Sequence, residues 1–155
     1  MNKFSKVITT LFGIGFSPFM PGTIASFITL TFYYIILDFI DLFGLIIVFL
    51  FIFIFSIYLI NIYTKKINKH DTSEIVIDEF LGITFIIIFY KMINFTNDFV
   101  MFIIILILFR FFDIFKIFPA NIIDKKMTNP IGVLLDDIIA GIYCVIMLYF
   151  INEYI

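Results

Sequence analysis

Apolar residues in this chain come in long blocks. Residues 24–40, Leu42–Ile62, Ile75–Met92, Phe95–Phe112 and Asp137–Ile151 are nearly unbroken apolar runs. A membrane-spanning helix needs roughly 20 such residues, with a range of about 17–25, so each run reaches or approaches that length. Only Asp38-Phe39-Ile40-Asp41 separates the first two runs, which predicts a tight hairpin. Residues 1–12 read as a short interfacial helix. The stretch from Gly13 to Ser26, GIGFSPFMPGTIAS, is interrupted by Gly and Pro and predicts a loop, with a helix N-cap at Thr23 or Ser26. Residues 113–135 predict a second long polar connection. The expected fold is all-α: one multi-pass membrane domain over 1–155, a bundle of four to five transmembrane helices with an interfacial N-terminal segment. The first run is short and holds Thr29 and Thr31, so it either spans or re-enters.

Composition supports the membrane reading. The chain is 63% hydrophobic and 14% charged, with a mean hydropathy of +1.19. So few charges do not cover a soluble surface. The abundance of Phe, Ile, Asn and Lys looks like the bias of an AT-rich genome, so much of it carries no physical demand. A single cysteine, Cys144, excludes an intramolecular disulfide and reads as packing. No cleavable targeting segment is expected, because Gly13 to Gly22 interrupts any signal-like core. Lys and Arg fix the expected orientation. With the N-terminus inside and five crossings, Lys3, Lys6, Lys65, Lys66, Lys69, Arg110, Lys116, Lys125 and Lys126 fall inside and only Lys91 falls outside. That bias favours five crossings, and no nucleic-acid partner is expected.

The same topology gathers the ionisable residues at the inner interface: Asp71, Glu74, Asp78, Glu79, Arg110, Asp113, Lys116, Asp124, Asp136 and Asp137. Ionised groups at a membrane edge are costly and usually functional. Two adjacent acid pairs, Asp78-Glu79 and Asp136-Asp137, each open an apolar run, where a helix N-terminus favours negative charge. Gly82 and Ala140 follow one turn after the first acid of each pair, and small residues there let the helix ends approach. The similar starts IDEFLG and LDDIIA hint at a pseudo-repeat. Hard cations take carboxylate oxygens, and Mg²⁺ keeps room for water and phosphate. Asp78 and Glu79, with Glu74 nearby, and Asp136 and Asp137 are therefore candidates for Mg²⁺ coordination or water activation. Asp113 is a further ligand or general base. Arg110 and Lys116 suit phosphate oxygens, one as a planar fork and one as a point charge. Gly22, Thr23 and Ser26 offer backbone and hydroxyl donors to an anionic head group. His70 reads as a solvated loop side chain. No Ser, Cys or His nucleophile with a partner is in view, which favours metal-assisted hydrolysis.

The segments GFSPFMPGTIAS, EIVIDEFLGI, FRFFDIFKIFP and GVLLDDIIAGIY occur in that order. Together they resemble the phosphatidylglycerophosphatase A family of bacterial membrane phosphatases, over about Gly13 to Tyr143. The pattern departs from the family's usual one at Ala25, Ile117 and Asn129-Pro130, while the carboxylates and basic residues are intact. The resemblance implies Mg²⁺-dependent removal of the terminal phosphate of phosphatidylglycerophosphate, leaving phosphatidylglycerol. It also implies an inner-membrane location, a phospholipid substrate and a site facing the cytoplasm. Another lipid phosphatase activity, for example on phosphatidate, is the nearest alternative. An ion or proton carrier is the alternative from another class, disfavoured because the acids cluster at one depth.

Overall fold

The computed structural model describes residues 3–67, 72–93, 99–127 and 129–154; Lys69, His70 and Asp71 lie outside the described residues. The described residues form helices and turns with no strand. In chain order the helices are α1 Lys3–Thr9, α2 Pro21–Ile36, α3 Leu42–Ile67, α4 Ile77–Met92, α5 Phe99–Phe115, α6 Ala120–Lys126 and α7 Pro130–Tyr154, with short 3₁₀ turns at Ile14–Phe16 and Leu37–Phe39. Among the described residues, three stretches are long and apolar enough to cross a membrane: Pro21–Phe39, Leu42–Lys65 and Pro130–Ile151. α4 and α5, at 16 and 17 residues, are shorter than the runs that predict them. α4 starts two residues later than its run, and the expected start of α5 falls outside the described residues.

α4 is the centre of the bundle. A helix that is apolar all round is a buried one, and Leu81–Thr84, Ile86–Ile88 and Tyr90 are all buried. One core cluster joins α4 to α2, α5 and α7 through Tyr33, Ile87, Phe109 and Cys144. A second joins it to α3 and α7 through Ile60, Leu81 and Leu134. In lipid the tails are as apolar as the core, so close packing and interhelical hydrogen bonds drive association. Both occur here. A Cβ on Gly82 would sit 2.7 Å from the Phe109 ring and 3.1 Å from the Asp137 carbonyl oxygen, and a Cβ on Gly141 would sit 3.2 Å from the Gly82 carbonyl oxygen. The close approach of α4 and α7 is thus a Gly82–Gly141 backbone contact, with Ala140 buried next to it. Tyr33 and Thr84 share a buried hydrogen bond of 2.9 Å between α2 and α4, of a kind that contributes about 0.6 kcal/mol in a bilayer.

The helix ends follow from local chemistry. Asp41 caps α3, its Oδ2 accepting the Gly44 N–H at 3.2 Å. Asn129 does the same for α7, accepting the Gly132 N–H at 2.8 Å, and Pro130 takes the first helical position where its missing N–H costs nothing. α2 begins earlier than the sequence suggests. Its N-cap is Met20, in left-handed backbone, and Pro21 opens the helix. Thr23 and Ser26 are therefore inside α2 rather than at its cap, because Pro at the first position suits a helix start better than a loop. The N-terminal segment is α1 plus a turn. That turn comes so close to the segment before α4 that a Cβ on Gly15 would overlap the Glu74 carbonyl oxygen at 1.9 Å.

Candidate active site

One end of the bundle holds a polar cavity of about 420 Å³. Its walls come from the start of α2, the segment before α4, the first turn of α4, the end of α5, α6 and the second turn of α7. Six carboxylates line it, those of Asp78, Glu79, Asp113, Asp124, Asp136 and Asp137, against two cations, Arg110 and Lys116. Of the ionisable candidates, Asp78, Glu79, Arg110, Asp113, Lys116, Asp136 and Asp137 come together here, and Glu74 does not.

The acid pairs share a local conformation. Asp78 Oδ1 accepts the Glu79 N–H at 3.1 Å, and Asp136 Oδ1 accepts the Asp137 N–H at 3.1 Å. Their placement differs. Asp78 and Glu79 stand in the first turn of α4, where the helix terminus favours negative charge. α7 begins at Pro130, inside the stretch expected to be a polar connection, so Asp136 and Asp137 stand about 9 Å beyond the start of their helix. The helix-terminus argument thus applies to the first pair alone.

Carboxylate oxygens of Asp78, Glu79 and Asp137 all lie within 4.8 Å of one another. Glu79 Oε2 and Asp137 Oδ2 are buried without a hydrogen-bond partner among the described residues. Buried anionic oxygens left unpaired are expensive, and a hard divalent cation is the partner that suits three clustered carboxylates. The donor set fits Mg²⁺. Asp136 stands apart from the trio: its Oδ2 accepts Lys116 Nζ at 2.7 Å. Glu74 does not line the cavity; its carboxylate accepts the Tyr63 hydroxyl, a partner on α3 that sequence spacing does not reveal.

The two cations are held differently. Arg110 Nη1 lies 2.6 Å from Asp113 Oδ2, one turn on in α5, and 3.6 Å from Glu79 Oε1. Its Nε is buried with no hydrogen-bond partner among the described residues, so the guanidinium keeps donor capacity for an incoming oxyanion. Lys116 follows the last residue of α5 in left-handed backbone, φ 41°, a conformation uncommon outside glycine. That turn brings its ammonium within 2.5 Å of Asp124 Oδ1 on α6 as well as to Asp136. Partial burial would lower the Lys116 ammonium, but these two carboxylates outweigh it and hold it above its ordinary value. Met20 and Lys116, both on the cavity wall, are both left-handed non-glycine residues, and such strain clusters at functional sites.

Gly22 also lines the cavity. A Cβ there would stand 2.0 Å from Glu79 Oε1 and 3.0 Å from Arg110 Nη1, so glycine is what lets α2 meet these side chains. Neither Thr23 nor Ser26 lines the cavity. Ser26 is fully buried and donates its hydroxyl to the Gly22 carbonyl at 2.8 Å, and Thr23 Oγ1 is buried without a partner among the described residues. Thr72 and Ser73 do line it. The sequence signals them only as polar neighbours of Glu74.

A family model for phosphatidylglycerophosphatase A matches residues 7–152. The chain belongs to the phosphatidylglycerophosphatase A family. Its family is one of phosphatases. Phosphatidylglycerophosphatase A of Escherichia coli (strain K12) is 32% identical over 145 residues, covering 92% of this chain and 80% of the relative. Phosphatidylglycerophosphatase A of Haemophilus influenzae is 35% identical over 97 residues, 63% of this chain and 57% of the relative. A Bacteroides thetaiotaomicron protein named "Putative phosphatidylinositol-3-phosphatase" is 33% identical over 158 aligned positions, 92% of this chain and 89% of the relative. No solved structure matches the chain.

Proposed function

We propose that this protein hydrolyses the terminal phosphomonoester of phosphatidylglycerophosphate, giving phosphatidylglycerol and inorganic phosphate, with Mg²⁺ as cofactor. The observation that carries the reading is the convergence of Asp78, Glu79 and Asp137 beside Arg110 in a chain of this family. Mg²⁺, held by those three carboxylates, would supply Lewis-acid stabilisation of phosphoryl charge. The remaining chemistry belongs to the chain. Arg110 and Lys116 bind and neutralise the equatorial phosphoryl oxygens, which carry most of the transition-state charge. A cavity carboxylate takes the proton of the attacking water. The new bond runs from water oxygen to phosphorus, the bond from phosphorus to the glycerol oxygen breaks, and that oxygen leaves as a hydroxyl with the proton that the carboxylate took from water. Asp113 holds the Arg110 fork, and Asp136 holds the Lys116 ammonium. The first turn of α2, with Gly22 at the wall, faces the head group with unsatisfied N–H donors.

The proposed setting is the bacterial inner membrane, with five crossings and the cavity at the cytoplasmic face. The Lys and Arg distribution supports that orientation. A second reading, action on another lipid phosphomonoester, has its support in the name of the Bacteroides relative. Phosphate release from phosphatidylglycerophosphate, phosphatidate and phosphatidylinositol 3-phosphate by the purified protein in detergent separates the readings. The first requires the highest kcat/KM on phosphatidylglycerophosphate, and comparable rates on phosphatidate would overturn it. For orientation, a Lys125→Cys variant lacking Cys144 should resist an impermeant thiol reagent in intact cells. Labelling there would put the site on the other face.

A further inference from the structure

A second cavity, about 70 Å³, lies in the seam between α2 and α5. α2 contributes Phe27, Leu30, Thr31 and Tyr34, spaced i, i+3, i+4, i+7 and so on one face of the helix. α5 answers with the same spacing from Phe99 to Leu106. The seam has the parts of a slot rather than those of a flat lipid-facing surface. Its floor is buried: Leu30 is 3% exposed and Phe102 5%. Its sides are open, with Phe27 57% and Ile103 42% exposed. Its far end is shut by Tyr34, packed edge-on against Phe99 and Phe102 with centroids 5.9 and 5.2 Å away. Of the two hydroxyl-bearing residues that line the slot, Thr31 and Tyr34, Thr31 donates its Oγ1 back to the Phe27 carbonyl at 2.8 Å. Thr31 therefore makes no polar demand there.

The near end of this seam is the active-site wall. Gly22 and Arg110, which meet beside Glu79, belong to the same two helices. Phe27 to Tyr34 lie about 8 to 18 Å along α2 from Gly22, and Leu106 to Phe99 about 6 to 17 Å along α5 from Arg110. A bilayer leaflet has about 15 Å of hydrocarbon. The slot thus covers the depth at which the tails of a lipid lie when its head group is at the cavity. Another surface cavity, between α3 and the start of α7, includes Asn61 and Asn129 and offers no comparable apolar track.

We propose that the α2–α5 slot is the binding site for one acyl chain of the lipid substrate, fixing the lipid so that its phosphomonoester reaches the carboxylate trio. This rests on the reading of the cavity as a lipid phosphatase site. The chain leaves bulk lipid for a slot of equal polarity, so its advantage is positional: it holds the reacting phosphate in register with Arg110.

Thr31→Trp and Ile103→Trp fill the slot from its two walls, and Leu50→Trp, on the exposed face of α3, is the control. Each is assayed on diacyl phosphatidylglycerophosphate in mixed micelles and on its water-soluble deacylated head group. The ratio of kcat/KM for the diacyl over the deacylated substrate should fall about tenfold in both slot variants, as loss of the positioning of the reacting phosphate would cause, and hold in the control. A ratio that stays constant in the slot variants, or falls equally in Leu50→Trp, overturns the slot. Inactivity of the wild-type protein on both substrates instead overturns the phosphatase reading. A second measurement does not depend on turnover. A diacyl lipid with a diazirine in mid-chain should crosslink to peptides from α2 and α5 and be competed by unlabelled substrate. Crosslinks spread evenly over α3 and α7 as well would also overturn the proposal.

Discussion

The two acid pairs read almost alike as sequence, Ile77-Asp78-Glu79-Phe80 and Leu135-Asp136-Asp137-Ile138, yet they do different work. In α4 the pair stands at the helix start, and both side chains face the reaction space. In α7 it stands two turns inside an apolar helix, and its members divide: Asp137 joins Asp78 and Glu79, while Asp136 accepts Lys116. A charge placed that deep is stable only with a partner. Asp136 has one in the chain, whereas Asp137 has an oxygen with none among the described residues. The asymmetry therefore predicts unequal roles for neighbours that local sequence makes look equivalent.

Metal removal should have the largest effect. EDTA is expected to abolish phosphate release and added Mg²⁺ to restore it; full turnover in EDTA would end the three-carboxylate reading. Next come the acids themselves. Asp78→Asn and Asp137→Asn keep shape and remove charge, and each should lower kcat by on the order of 10² or more. Asp136→Asn should cost about ten times less, since it loosens Lys116 without emptying the trio. Equal losses at Asp136 and Asp137 would erase the division drawn above.

Gly22→Ala tests the wall where α2 meets Glu79. The added Cβ must displace the Glu79 carboxylate, and displacements of about 1 Å near a reacting centre cost up to about 10²-fold. The expected readout is a fall in kcat/KM with unchanged helical circular dichroism. Lys116→Met should slow turnover roughly tenfold and should be non-additive with Asp136→Asn by about 0.5–3 kcal/mol in a double-mutant cycle. Additive losses would mean that the 2.7 Å contact does not connect the two residues in turnover. Asn129→Ala should have the smallest effect, about 1 kcal/mol of stability from the lost α7 cap, read as a lower thermal midpoint with kcat preserved.

Much of the helical fold is legible in the sequence. Runs of apolar residues announce helices because a bilayer leaves no other way to satisfy the backbone, and acids in such runs stand out because nothing in lipid rewards them. Asp113, inside FRFFDIFKIF, stands out in this way from its neighbours alone. What was not legible depends on partners distant in sequence. Glu74 looks like a ligand until Tyr63 on α3 takes its carboxylate. Ser26 looks like a loop donor until Pro21 starts the helix and turns the hydroxyl back to Gly22. Residues 113–135 look polar and irregular because the αL turn at Lys116, the short α6 and the Asn129 cap are each too brief to leave a periodic signal. Gly141 gives no separate signal in the sequence, because Ala140 already supplies a small residue at the expected spacing.

The Gly82–Gly141 contact bears on how such a chain changes over generations. α4 and α7 meet there through main-chain atoms, with the Phe109 ring packed beside Gly82, so the gap between Asp78 and Asp137 is set by buried contacts and not by side chains on the lipid-facing surface. Lipid-facing positions can then exchange one apolar residue for another, as a genome rich in A and T would press them to do, without altering the spacing of the carboxylates. Drift over the outer surface and fidelity at the reacting centre become independent, and two hydrogen atoms in place of two methyl groups are what separate them.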